Sequence, residues 1–128
     1  VITLYASLHG HARQVAERLP NPQNVELWPS LDGHDFHVFV CPTYGDEELP
    51  LAMEDFLYGM TKRGGRYTAV ELGNYYEDFR FGALNIIRSR LTELGWVEFY
   101  PSLSLDSLPR VDWDVFERWR AGWPTEMR

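Results

Sequence analysis

The stretch Phe36-His37-Val38-Phe39-Val40-Cys41 runs directly into the loop Pro42-Thr43-Tyr44-Gly45-Asp46-Glu47-Glu48-Leu49-Pro50. The first six residues are nearly all apolar, which is typical of a β-strand that is buried on both faces of a parallel sheet. The loop then brings together a hydroxyl, an aromatic ring, a glycine and three acids where that strand would surface. An aromatic ring can stack on a planar, electron-rich ligand, and a glycine lets the backbone come close to it. We therefore predict a ligand-binding loop at the end of a buried strand.

Two further loops of the same kind also follow strand-like runs. Ser7-Leu8-His9-Gly10-His11 follows Val1–Ala6, and Gly73-Asn74-Tyr75-Tyr76-Glu77-Asp78 follows Tyr67–Leu72. In open α/β sheets, ligands bind beyond the carboxyl ends of the strands, at the point where the strand order reverses. Three such loops at successive strand ends predict one shared site.

Strand and helix signals alternate along the chain. The predicted strands are Val1–Ala6, Val25–Trp28, Phe36–Cys41, Tyr67–Leu72 and Trp96–Leu105. The predicted helices are His11–Leu19, a helix opened by Pro50 with apolar Leu51, Met53, Phe56, Leu57 and Met60, Phe81–Leu94 with Gly95 as its C-cap, and Val111–Trp119 with Asp112 as its N-cap. We expect the tail Trp123–Arg128 to fray. This alternation predicts an α/β fold, a doubly wound five-stranded parallel sheet in three layers, with the order 2-1-3-4-5 if the three loops are to be neighbours.

Size and composition narrow the class of protein. The 128 residues predict a single domain over 1–128, and 45% hydrophobic residues suffice for a core. No apolar run approaches the ~20 residues that a membrane span needs, and Val1–Tyr5 lacks the basic region of a signal peptide, so we expect a first strand there. Cys41 is the one cysteine and lies in an apolar strand, so we expect an unreactive thiol and a reducing cytoplasm. The net charge of −7 disfavours nucleic-acid phosphates and favours basic protein partners.

Other readings of the same residues are weaker. No acidic pair follows the first strand, as a response regulator would need, and the Gly-x-Gly-x-x-Gly pattern of dinucleotide folds is absent. His9 and His11 lack third and fourth ligands at zinc spacing, so no metal site is predicted. We expect His34 and His37 at the surface or at a strand end.

On its motifs, the chain resembles a flavodoxin, or the flavodoxin-like half of a larger flavoprotein reductase, from Val1 to about Asp106. The family's phosphate loop reads roughly Ser/Thr-x-Thr-Gly-x-Thr, and it is matched by Ser7-Leu8-His9-Gly10-His11-Ala12. His9 and Ala12 stand where the family has hydroxyl residues. By this resemblance the loop would hold the phosphate of flavin mononucleotide (FMN) with backbone N–H groups, short hydroxyls and the imidazoles of His9 and His11.

The other two loops are similar to the family's ring-binding loops. Thr43-Tyr44-Gly45-Asp46 is similar to Thr-(Tyr/Trp)-Gly-(Asp/Glu), which implies that Tyr44 stacks on the isoalloxazine ring. The stretch from Glu71 to Phe79 is similar to Gly-Leu-Gly-Asp-Ser-x-Tyr-x-x-Phe-Cys, with either Tyr75 or Tyr76 as the stacking residue. The residues predicted to bind the cofactor are Ser7, Leu8, His9, Gly10, His11, Ala12, Pro42, Thr43, Tyr44, Gly45, Asp46, Leu72, Gly73, Asn74, Tyr75, Tyr76 and Phe79.

The resemblance implies an FMN-binding electron carrier that shuttles single electrons between a reductase and an acceptor protein. The redox chemistry would belong to the flavin, so no catalytic residue is predicted. The implied partners are redox proteins with basic docking faces, and we expect a monomer that binds neither nucleic acid nor membrane. Two alternatives stay open: an interaction protein of the flavodoxin fold with weak or no FMN binding, and a small FMN-dependent reductase. The replaced hydroxyls favour the former, while the short link Pro29–Asp35 leaves little sequence for the substrate pocket of the latter.

Overall fold

One parallel sheet organises the computed structural model, which describes residues 1–43, 48–73 and 81–128. Its strands are β1 (Ile2–Tyr5), β2 (Pro22–Asn24), β3 (Phe36–Pro42), β4 (Arg66–Gly73), β5 (Val97–Glu98) and β6 (Leu103–Asp106). The strand order is β2-β1-β3-β4-β5, and β6 also pairs with β4. Because β5 and β6 lie one after the other along the same edge of β4, together they occupy the fifth position. The predicted order 2-1-3-4-5 is confirmed.

Helices cover both faces of the sheet and make three layers. They are α1 (His11–Glu17), α2 (Leu51–Gly59), α3 (Ala83–Glu93) and α4 (Trp113–Ala121). The apolar faces of α2 and α3 pack into one core cluster, and those of α1 and α4 pack into the other. In α3 the buried residues recur at helical spacing, as an amphipathic helix on a sheet requires. Within the described ranges, no helix is long and apolar enough to cross a membrane.

Strand β3 lies at the centre of the sheet, between β1 and β4. Its first six residues are buried, as the apolar run predicts. His37 lies at the end of a strand, as one of its two predicted positions requires, because it is the second residue of β3. The other predicted position, at the surface, is wrong, because the side chain is fully buried. Both of its ring nitrogens have partners: Nδ1 donates to the Arg66 carbonyl oxygen at 3.1 Å, and Lys62 Nζ approaches Nε2 at 3.4 Å. These partners make burial of an imidazole tolerable.

The predicted second strand, Val25–Trp28, is wrong. Strand β2 ends at Asn24, and Val25–Leu27 is a short 3-10 helix. The Asn24 side chain accepts a hydrogen bond from the Glu26 N–H, which caps that helix. Asparagine caps helices well, and here capping outweighs the strand preference of the apolar residues that follow it.

The predicted fifth strand is broken in the middle. Between β5 and β6, the Ser102 hydroxyl accepts from the Ala69 N–H at 3.0 Å, so a side chain takes the place of a backbone acceptor. The preceding Pro101 has no N–H to donate to β4. Its carbonyl oxygen accepts instead from Trp119 Nε1 of α4 at 2.7 Å.

The expectation that the tail frays is also wrong. Trp123 and Met127 are buried against the α1 and α4 cluster, and residues Thr125–Met127 form a 3-10 helix. The Arg128 side chain donates to the Trp123 carbonyl oxygen at 2.9 Å. Burial of two large apolar side chains outweighs the entropy of a free chain end.

Candidate functional site

A cavity of about 420 Å³ lies at the carboxyl edge of the sheet, where β1, β3, β4 and β6 end. The described residues that line it are Leu8, His9, His11, Ala12, Pro42, Thr43, Leu72, Gly73, Ser107 and Leu108. Its volume falls in the range of ~300–1,000 Å³ that is usual for small-molecule sites. Most of its wall is apolar, with imidazoles and hydroxyls at a few points. The fold thus brings together the three strand ends that the sequence predicts, and adds a fourth.

The first loop turns sharply at Gly10. Its φ of +87° is left-handed, which favours glycine, and its N–H donates to Ser7 Oγ at 3.0 Å. The Ser7 hydroxyl oxygen is therefore used inside its own loop. This turn feeds the chain into α1 and places four neighbouring residues on the cavity wall, namely Leu8, His9, His11 and Ala12.

The start of α1 suits an anionic group. Among the described residues, no side chain caps this end, and its first turn carries no acid. The first N–H groups of a helix lack partners within the helix and carry partial positive charge. His9 and His11 line the cavity beside them. The N–H groups at the start of α1 and the two imidazoles are therefore the hydrogen-bond donors on this side of the cavity.

Thr43 connects the end of β3 to its neighbours. Its N–H donates to the Leu72 carbonyl oxygen at 2.8 Å. Its Oγ1 accepts from the N–H groups of Gly82 and Ala83, at 3.2 and 3.4 Å, where α3 begins. Thr43 therefore lines the cavity and also fixes the position of α3.

Glu71 is a buried carboxylate next to this connection, with 3% of its surface exposed. Its Oε2 accepts from the Leu84 N–H at 2.8 Å, and its Oε1 accepts from Ser104 Oγ at 2.6 Å. It links the end of β4 to the start of α3 and to β6. A carboxylate at a helix N-terminus also interacts favourably with the helix dipole.

The thiol of Cys41 lies opposite Glu71 in the β3–β4 ladder. Burial raises the pKa of this thiol, and the negative charge of Glu71 raises the pKa further. A thiol in this setting stays protonated and is a poor nucleophile.

Known proteins with a similar sequence and fold share this geometry. No family model matches the chain. The flavodoxin of Nitratidesulfovibrio vulgaris is 28% identical over 138 aligned positions, which cover 93% of each chain. The chain is thus similar to flavodoxins in sequence and in fold. Flavodoxin is itself the standard example of the strand order seen here.

Solved flavodoxin structures share the fold. A flavodoxin of Streptococcus pneumoniae TIGR4 superposes with a TM-score of 0.75 at 19% identity, covering 93% of this chain and 91% of its own. A Fusobacterium nucleatum flavodoxin, solved bound to flavin mononucleotide, gives a TM-score of 0.73 at 16% identity. That comparison covers 97% of this chain and 93% of the other. The three-layer architecture is therefore that of the family.

The structure places the predicted flavodoxin site residues in three groups. Eight of them line the cavity: Leu8, His9, His11, Ala12, Pro42, Thr43, Leu72 and Gly73. Ser7 and Gly10 form the turn that shapes the first loop. The others lie outside the described residues, namely Tyr44, Gly45, Asp46, Asn74, Tyr75, Tyr76 and Phe79.

Sequence reasoning missed two cavity residues, Ser107 and Leu108. The Ser107 N–H donates to the Gly73 carbonyl oxygen at 3.1 Å, which joins the end of β6 to the end of β4. The Leu108 N–H donates to Asp106 Oδ1 at 3.1 Å, and the Leu108 side chain is 47% exposed. The strand-end rule that located the other loops also applies after β6. This loop lacks their glycine and aromatic residues, and so gave no separate signal.

Proposed function

We propose that this flavodoxin-like chain binds one FMN without a covalent bond and carries single electrons between a reductase and an acceptor protein. The observation that carries the proposal is the convergence of four strand ends on one cavity of about 420 Å³. The name of the curated relative and the FMN held by the Fusobacterium flavodoxin support it. Bound FMN supplies the one-electron redox chemistry, and the protein supplies binding and electrostatics.

The described residues fit this cofactor. Leu8, Leu72 and Leu108 offer apolar surface to a flat ring system and exclude water from it. His9 and His11 lie beside the uncapped start of α1 and suit the phosphate. The apolar and polar parts of the cavity wall therefore match a ligand that is apolar at one end and anionic at the other.

Ring stacking by Tyr44, and by one of Tyr75 and Tyr76, stays a prediction from the family motifs. Replacing Tyr44 with alanine should weaken FMN binding by ~1–3 kcal/mol, on the scale of base–aromatic stacking. Fluorescence titration of the Tyr44→Ala protein with FMN measures this loss. Unchanged affinity would assign Tyr44 a structural role.

The direct test of the function is titration of flavin-free protein with FMN and with riboflavin. We expect quenching of flavin fluorescence at micromolar protein, weaker binding of riboflavin, and stepwise reduction of the bound cofactor. Absence of quenching would refute the proposal. Equal affinity for both flavins would place the phosphate elsewhere.

A pair of histidine variants locates the phosphate. His9→Ala should weaken FMN binding more than riboflavin binding, because His9 lines the cavity. His34→Ala is the control, because His34 lies near the start of β3, whereas the cavity lies at the end of that strand. Lys62 Nζ donates to the His34 carbonyl oxygen and also contacts His37, the second residue of β3. If His9→Ala weakened the binding of FMN and of riboflavin equally, His9 would not contact the phosphate.

We propose partners with basic docking faces. The support is the net charge of −7, together with the exposed side chain of Glu48 beside the second loop. Opposite charges speed association, and salt screens them. Electron transfer to a basic acceptor should therefore slow as salt is added, and a rate that does not depend on salt would contradict this. We further propose a monomer in a reducing cytoplasm, where the buried thiol of Cys41 would stay free.

One alternative keeps a specific observation in its favour. His9 and Ala12 replace hydroxyl residues of the phosphate loop, which suits an interaction protein of the same fold that binds FMN weakly. The FMN titration separates the two functions. A third function, reduction of a small molecule such as a quinone, would appear as catalytic turnover by the FMN-loaded protein without a protein acceptor.

A further inference from the structure

We infer that Glu71 is a positioning residue for the cofactor site, and that its buried charge disfavours the reduced cofactor relative to the oxidised one. The inference rests on the proposed function and adds to it a residue that stands where the family motif has glycine. Glu71 combines three features: it is buried, it joins three elements of the fold, and it directly precedes Leu72 and Gly73 of the cavity wall.

Glu71 and Thr43 together fix the position of the first turn of α3. Glu71 Oε2 accepts from the Leu84 N–H, and Thr43 Oγ1 accepts from the Gly82 and Ala83 N–H groups. One side chain of β4 and one from the residue that follows β3 therefore fix the start of α3. The Gly73 carbonyl is held by Ser107. The point where the chain leaves β4 and the point where it enters α3 are thus both anchored. The ring-binding loop predicted from the motifs joins these two points.

The Glu71 carboxylate also carries charge at this edge of the sheet. Both carboxylate oxygens of Glu71 accept hydrogen bonds, and the 2.6 Å distance to Ser104 Oγ is typical of a hydroxyl donating to an ionised carboxylate. Among the described residues, no Lys or Arg forms a salt bridge with Glu71. The charge of Glu71 contributes to raising the pKa of Arg88, but the salt bridge of Arg88 is with Glu98, at 2.9 Å. Within residues 1–43, 48–73 and 81–128, the Glu71 carboxylate therefore lies beside the cavity wall with hydrogen-bond donors but without a salt-bridged cation.

The charge of Glu71 would repel the charge that the bound cofactor gains on reduction. Full reduction by the partner reductase adds two electrons and one proton to the FMN ring, which leaves one negative charge on it. Glu71 precedes Gly73 of the cavity wall by two strand residues, or about 7 Å. Like charges roughly 10–15 Å apart, at an effective dielectric constant near 20, change an affinity by about tenfold before screening. We expect an effect of about three- to tenfold after screening.

The test variant is Glu71→Gln, which keeps the shape of the side chain. Its amide oxygen can accept from the Leu84 N–H, and its amide nitrogen can donate to the Ser104 hydroxyl. Glu93→Gln is the matched control, because it removes the same charge from the exposed end of α3, about 15 Å along the helix. Ser104→Ala is a second control, because it removes a hydrogen bond and keeps the charge.

We would measure the affinity of each variant for oxidised FMN and the midpoint potential of its bound cofactor. Glu71→Gln should raise the affinity for reduced relative to oxidised FMN about three- to tenfold, seen as a more positive potential. Glu93→Gln and Ser104→Ala should leave the potential unchanged. A shift in Glu71→Gln no larger than in Glu93→Gln would overturn the charge effect.

A measurement on flavin-free protein tests the anchoring separately. Hydrogen exchange of the Leu84 amide should be faster in Glu71→Ala than in the wild type, and close to wild type in Glu71→Gln. If Glu71→Ala does not fold, the Gln variant and Ser104→Ala still report on the same amide. Unchanged exchange in folded Glu71→Ala would overturn the anchoring. A wild-type chain that binds no FMN would instead refute the proposed function, and the exchange result would stand apart from it.

Discussion

His37 should make the stability of this protein depend on pH between about 6.5 and 4. Burial lowers the pKa of His37 to about 4; the hydrogen bond to the Arg66 carbonyl opposes that shift, and the charge of Lys62 adds to it. Lys62 Nζ donates to Nε2 and the Arg66 carbonyl accepts from Nδ1, so the folded protein holds the neutral ring. The perturbation is acidification from pH 8 to pH 5, with and without His37.

The sign and size follow from proton linkage. The unfolded chain has an ordinary histidine pKa near 6.5, so between pH 6.5 and 4 it binds more protons than the folded protein does. The full contribution is present above pH 6.5 and is lost as the pH falls towards 4. At pH 5 the loss is about 2 kcal/mol, and over the whole interval it is at most about 3 kcal/mol. This is a large part of a typical unfolding free energy of ~5–15 kcal/mol.

Urea unfolding at pH 8 and pH 5, followed by circular dichroism, measures the effect in wild type and in His37→Asn. Other groups titrate in the same interval, so the quantity of interest is the difference between the two proteins. The variant should lose about 2 kcal/mol less than the wild type on acidification. Equal losses in wild type and His37→Asn would refute the reasoning.

Two further predictions concern tryptophans. Trp119→Phe should lower the unfolding free energy by ~1–2 kcal/mol more than Trp123→Phe. The reason is that Trp119 Nε1 donates to the Pro101 carbonyl oxygen, whereas Trp123 Nε1 has no partner in the described part of the chain. Equal losses in urea unfolding would contradict this. At Gly59 a β-carbon would lie 2.5 Å from the Trp28 ring, so Gly59→Ala should destabilise the wild type. In the Trp28→Ala background the same substitution should be neutral or stabilising, by under about 1 kcal/mol. Additive effects in the double-mutant cycle would show that the two residues do not interact.

Several features of the fold depend on individual contacts that the pattern of apolar and polar residues does not predict. The residues next to His37 predict a surface or strand-end position. They do not indicate its burial, because the partners of its ring, Arg66 and Lys62, lie far along the chain. The short helix after Asn24 depends on one local capping bond that competes with strand preference. The buried tail depends on a pocket for Trp123 that the α1 and α4 cluster builds.

Three features can be predicted from the amino-acid sequence: the alternation of strands and helices, the parallel sheet order, and the location of the candidate site at the carboxyl edge. These follow from periodicity and from strand-end loops, which are local patterns with a general geometric consequence. Two features are visible only in the folded protein: Glu71 and Thr43 hold the start of α3, and Ser107 and Leu108 complete the cavity wall. These contacts join residues that are far apart in the chain and become neighbours only when the sheet brings their strands side by side, so the spacing of residues along the chain does not predict them.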